Sequence, residues 1–165
     1  MIIGNGDIAS VLEDREDRLY FASGVSNSQE TRRSEYEREK KLLLKQDRHR
    51  HIVYFSSLAI FYSDVLYVQH KKRMESLIKK KFKHWTIVRI GNITWGSNPH
   101  TIINFFKEKI AKKEPFEIRD KYRYIVDQSE FLHWISLIPD WNCELNITGR
   151  RMKIAEIVRE IKTGK

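Results

Sequence analysis

The sequence predicts an α/β layered fold, a largely parallel sheet with helices on both faces. Three observations predict it. Short β-rich runs alternate with helical stretches along the chain. In the helical stretch at residues 66–81, a stripe recurs every three or four residues. Finally, 165 residues with 41% hydrophobic and 32% charged side chains, 7 Gly and 3 Pro are enough to bury one core in one domain. The same figures exclude a disordered or collagen-like chain and all but exclude a two-domain enzyme.

Residues 1–3 followed by Gly4-Asn5-Gly6-Asp7-Ile8-Ala9 read as the end of a short strand, a glycine turn and a helix opening into Val11 and Leu12. This is the G-x-G-x-x-A form of a phosphate-binding turn. Its glycines permit a tight bend and close approach of a pyrophosphate, and a helix N-terminus offers unpaired N–H groups. Leu19-Tyr20-Phe21-Ala22, ended by Ser23-Gly24, reads as a buried strand after the charged residues 13–18. Residues 29–46 look helical, with apolar content nearly confined to Tyr36 and residues 42–44, so their charges are expected on a solvated face.

His51-Ile52-Val53-Tyr54-Phe55 is β-rich and ends at Ser56-Ser57. Within 66–81 the stripe runs through Tyr67, His70, Lys71, Met74 and Leu77 or Ile78. Residues 85–90 form a further strand and 101–113 a helix. In the last third, strands are expected at 116–118, 122–126 and 143–147, and helices at 129–138, ended by Pro139, and 153–162.

Lys and Arg exceed Asp and Glu by 31 to 22, a net charge of +9, which favours polyanionic partners such as nucleic acid, phosphorylated small molecules or an acidic membrane surface. The basic runs His70-Lys71-Lys72-Arg73 and Lys79-Lys80-Lys81-Phe82-Lys83-His84, beside Trp85, carry the nucleic-acid reading. A soluble helix face outweighs it, because Trp85 belongs to an apolar strand pattern. Cys143 is the only cysteine, so no intrachain disulfide or cysteine-based zinc site is expected, and a reducing, cytoplasmic setting is the default. No apolar run approaches the ~18 residues of a membrane span, and the six histidines lack metal-ligand spacing, so no metal is expected.

The chemistry-bearing residues lie between positions 57 and 71. Tyr67 and Lys71 are four apart on one helical face, so phenol and ammonium address the same ligand, and a nearby cation favours phenolate. Ser57 stands at the C-terminal end of its strand, where open α/β sheets place their ligand crevice. Either Ser56 or Ser57 is also a natural cap for the turn that leaves the strand.

In order along the chain, these blocks resemble the extended short-chain dehydrogenase/reductases of the NAD-dependent epimerase/dehydratase type, many of which act on nucleotide sugars. Gly4-Asn5-Gly6-Asp7-Ile8-Ala9 is similar to the dinucleotide turn, Tyr54-Phe55-Ser56-Ser57 to the strand ending in the catalytic serine, and Tyr67-x-x-x-Lys71-x-x-x-Glu75 to the active-site helix. Residues 87–96, 124–127 and 144–149 are similar to later segments of the family. The resemblance implies NAD or NADP as cofactor and a nucleotide sugar as substrate. It implies Tyr67 as acid/base, Lys71 on the nicotinamide ribose, and Ser57, chosen over Ser56 by register, on the reacting oxygen. It also implies Gly4, Asn5, Gly6, Asp7 and Ile8 on the cofactor, and Asn92 on cofactor or substrate. The whole chain, 1–165, then reads as a minimal Rossmann-like domain, with 115–165 resembling the family's substrate-side C-terminal part.

The departures are as specific. Between the glycine turn and Leu19 there is room for one helix only, so the second and third strands of a Rossmann half are missing, and with them the adenosine-binding edge. The acidic residue expected to grip the ribose lacks a clear counterpart. A non-catalytic nucleotide-binding or protein-interaction module of the same descent, with an exposed sheet edge for dimerisation, is therefore the alternative.

Overall fold

The computed structural model describes residues 1–164. Strands β1 (Ile2–Ile3), β2 (Arg18–Phe21), β3 (His51–Ser57), β4 (Trp85–Ile90) and β7 (Cys143–Ile147) form one sheet in that spatial order, every neighbouring pair parallel. Helix α1 (Arg33–Leu44) connects β2 to β3, and α2 (Leu66–Lys81) connects β3 to β4. A smaller sheet holds β5 (Asn92–Ile93), β6 (Tyr122–Val126) and β8 (Arg150–Lys153), with α3 (Ile102–Ala111), α4 (Gln128–Ser136) and α5 (Ile154–Thr163) between and after these strands.

The main sheet is buried on both faces, which is why its central strands read as mainly apolar runs. Leu19, Phe21, Ile52 and Tyr54 face Leu43 of α1 and Met74 and Ile78 of α2. Their alternates Tyr20, Val53 and Phe55, with Val88 and Ile90, face Phe131 and Ile135 of α4. Helices thus cover both faces, as the period-two alternation of strand side chains requires. The small sheet is closed by α3 and α5 through Ile103, Ile125, Met152 and Ile157.

β1 is the last strand on its side, so among the described residues the main sheet stops where a Rossmann half would add two more strands. Gly4, which follows β1, has φ +128°, and a Cβ there would stand 2.5 Å from the Ala22 carbonyl oxygen. No L side chain fits that approach.

Three local expectations are corrected. The glycine turn does not open a helix; it leads to a single 3-10 turn, Ala9–Val11, after which Leu12 is extended with ψ 142°. The chain must recross the sheet to lay β2 parallel to β1, and Ile8, Val11 and Leu12 pack on the core as it does so. Residues 116–118 pair with no strand; Phe116 packs instead edge-on against Phe106 of α3, with ring centroids 5.3 Å apart. β8 was not expected because Arg150-Arg151-Met152-Lys153 buries only Met152, and antiparallel pairing with β6 makes it a strand.

Candidate active site

The carboxyl ends of β2, β3 and β4 open into a groove of about 1000 Å³. Asn5, Gly6, Asp7 and Ile8 line it from the glycine turn, Ser57 from the last position of β3, Tyr67 and Lys71 from the first turns of α2, and Asn92 from β5. The structure therefore brings the sequence-derived candidates to one groove, apart from Gly4, which packs beneath it on Ala22.

Their individual contacts differ. The Ser57 hydroxyl accepts a hydrogen bond from the Ala59 amide at 3.2 Å, capping a 3-10 turn, Leu58–Phe61, and keeps its own proton to donate. Ser56 is buried and donates to Glu75 Oε1 at 2.6 Å. Arg89 holds the same carboxylate through two hydrogen bonds, of 3.0 and 2.7 Å, and also pairs with Glu144 at 2.6 Å. Arg89 is thus committed to carboxylates, and Glu75 ties α2 to β3 and β4.

Asp7 does not point into the groove as a free carboxylate. Its two oxygens accept from the Ser97 and Asn98 amides, each at 3.0 Å, and its carbonyl accepts from Trp95 Nε1 at 3.0 Å. It clamps the loop after β5. The Asn92 side chain donates to the Tyr124 carbonyl at 3.1 Å, fixing β5 to β6. With only a three-residue 3-10 turn after it, the glycine turn offers backbone N–H groups but no helix dipole of useful length.

Tyr67 is half-buried, and among the described residues its side chain makes no protein hydrogen bond. The Lys71 ammonium lies 5.7 Å from the centre of its ring. Lys71 itself is 2% exposed and donates to the Tyr54 hydroxyl at 3.1 Å and to Glu39 Oε1 and the Phe55 carbonyl, each at 3.4 Å.

Glu39, in the middle of α1, is a further component of the site and corrects the expectation of a wholly solvated charged face: it is 0% exposed. It also accepts from the Val25 amide at 2.7 Å, the Tyr54 hydroxyl at 2.6 Å and His70 Nε2 at 2.9 Å. Burial alone would raise its pKa, but the Lys71 charge and these hydrogen bonds outweigh it and hold the carboxyl at about 2. Burial and the Glu39 charge push the Tyr54 phenol well up, so Tyr54 stays a neutral donor. A signal for Glu39 was present: it lies three residues after Tyr36 and four before Leu43, on the apolar stripe of its helix.

No protein-family model and no curated protein matches the sequence. Solved structures match in fold. The Bordetella bronchiseptica enzyme WbmG, crystallised with NAD, is 13% identical with a TM-score of 0.65, over 90% of this chain and 56% of that one. Thermus thermophilus UDP-glucose 4-epimerase with NAD is 15% identical with a TM-score of 0.65, over 89% and 61%. The dTDP-4-dehydrorhamnose reductase of Bacillus anthracis with NADP is 12% identical with a TM-score of 0.66, over 90% and 62%.

The chain therefore shares the Rossmann-like fold of these three structures. It spans between 56% and 62% of the length of these three structures. Among the described residues no helix is long and apolar enough to cross a membrane, and no cluster of three or more His, Cys, Asp or Glu side chains is placed to hold a metal ion.

Proposed function

We propose that the chain is an NAD(P)-dependent enzyme of the short-chain dehydrogenase/reductase type acting on a nucleotide sugar, as an epimerase, dehydratase or reductase. The observation that carries this reading is the sharing of one groove by the glycine turn, Ser57, Tyr67 and Lys71 at the carboxyl ends of parallel strands.

The groove fits the nicotinamide end of such a cofactor. Gly24 leaves room for the Lys71 ammonium at the groove wall, and the backbone of residues 5–8 is open to a phosphate. Hydride exchange with a substrate carbon is the chemistry a bound nicotinamide supplies. Tyr67 moves the coupled proton at its phenol oxygen, Ser57 donates to the reacting oxygen, and Lys71 holds positive charge beside the phenol. Residues 115–165 supply the substrate side, where Arg119 and Arg123 line the groove with cations suited to a diphosphate.

The engagement of Lys71 by Glu39 and the end of the sheet at β1 favour the second reading, a non-catalytic nucleotide-binding module. Titration with NADH and NADPH by fluorescence and calorimetry, followed by turnover assays on nucleotide sugars, separates the two. No binding of either cofactor at millimolar concentration removes the enzyme; binding without turnover of any nucleotide sugar favours the module.

A further inference from the structure

We infer that Glu39 is the positioning residue of this site: its buried carboxylate sets the place of the Lys71 ammonium. The inference rests on the function proposed above. Glu39 draws on four partners from three directions: the Val25 amide beyond β2, the Tyr54 hydroxyl on β3, and His70 and Lys71 on α2. Its oxygens are divided between them. Oε2 takes Val25 and His70, at 2.7 and 2.9 Å, and Oε1 takes Tyr54 at 2.6 Å and Lys71 at 3.4 Å. The imidazole nitrogen facing the carboxylate carries the hydrogen.

The carboxylate is thus immobilised by its shorter hydrogen bonds to Val25, Tyr54 and His70, and the lysine is its most loosely held partner. A carboxylate anchored only to stabilise the fold has no need of a cation at the groove wall, since apolar side chains of similar volume serve a core as well. Here the cation stands at that wall, opposite Gly24 and within 5.7 Å of the Tyr67 ring centre. Without the carboxylate, the ammonium is a buried charge lacking its counter-ion, and it must move toward other acceptors or water. Glu39 therefore acts on the cofactor through Lys71 and touches no ligand itself.

The test is a double-mutant cycle on the full chain with Glu39→Gln, Lys71→Met and the double variant, measuring NADH affinity by fluorescence titration and folding by urea denaturation. Glu39→Gln keeps the volume and an acceptor oxygen for two of the four donors but removes the charge, and it is expected to weaken NADH binding about tenfold or more. In the Lys71→Met background the same substitution is expected to change affinity less than about twofold, because its route to the ligand is gone. The double variant replaces a buried ion pair with neutral groups and is expected to fold at least as stably as either single variant. NADH affinity unaltered by Glu39→Gln, or two losses that simply multiply, overturns the positioning role while leaving the proposed function standing. A wild-type chain that binds no NADH overturns the proposed function, and this role with it.

Discussion

The ammonium of Lys71 occupies space that only a glycine at position 24 leaves open: a Cβ built there would stand 2.6 Å from Nζ and 3.1 Å from Glu39 Oε1. The backbone of Gly24 is not in the left-handed region, so steric contact with the Glu39–Lys71 pair is what excludes a side chain. Gly24→Ala is expected to push Lys71 out of place, lowering NADH affinity several-fold and stability by about 1–3 kcal/mol, the usual range for overpacking. Unchanged NADH affinity in a titration would show that this wall does not contact the cofactor.

Tyr67 is half-buried and makes no protein hydrogen bond among the described residues, so the loss of its hydroxyl has little to disturb. Tyr67→Phe is expected to keep the melting temperature and cofactor affinity of the wild type while turnover falls roughly 10²–10⁴-fold, the usual contribution of a general acid or base. Wild-type turnover in this variant removes Tyr67 as the proton carrier.

The two adjacent serines are expected to separate in their effects. Ser57→Ala loses one hydrogen bond from the Ala59 amide, worth roughly 1 kcal/mol or less, so its main effect should fall on kcat. Glu75→Ala strips Ser56 and the doubly bonded Arg89 of their shared acceptor and is expected to cost about 3–5 kcal/mol in urea denaturation, as broken buried pairs do. A Ser57→Ala variant with full activity would move the substrate contact elsewhere.

Stability is expected to fall with acid through His51. Its Nδ1 accepts from Arg18 at 2.7 Å and its Nε2 donates to Thr86 at 2.8 Å, so the imidazole is held neutral. Burial first, then the charges of Arg18 and His84, lower its pKa from 6.5 to about 4. Since the folded value lies below the unfolded one, the stabilisation is complete above pH 6.5 and is lost as the pH falls through 4. Its size is at most about 3 kcal/mol. Denaturation midpoints measured from pH 7 to 4 should fall, and His51→Gln should flatten that slope. Glu39, held at about 2 against 4.5 ordinarily, adds its own loss in the more acidic window between those values.

The parts of the fold that were legible in advance are those whose signal is local. β4 and α2 begin and end where the pattern of residues 85–90 and 66–81 places them, because a strand buried on both faces is mainly apolar and α2 buries one stripe. The convergence of Ser57, Tyr67 and Lys71 on one groove follows from similar rules, since strand ends and i,i+4 spacing are properties of adjacent residues.

What stayed hidden depends on neighbours that arrive from far along the chain. Glu39 sits in a helix rich in exposed charge, and its burial comes from Val25, Tyr54, His70 and Lys71 closing over it. Asp7 turns from a ligand candidate into a clamp because the loop at residues 95–98 folds over it, and Phe116 leaves a strand-like run for a place beside Phe106. Periodicity was enough to specify the layered architecture, and the family resemblance singled out the three side chains that line the groove. The pairing of Lys71 with Glu39 required the assembled chain, because the cost of a buried charge is set by the groups that surround it in space.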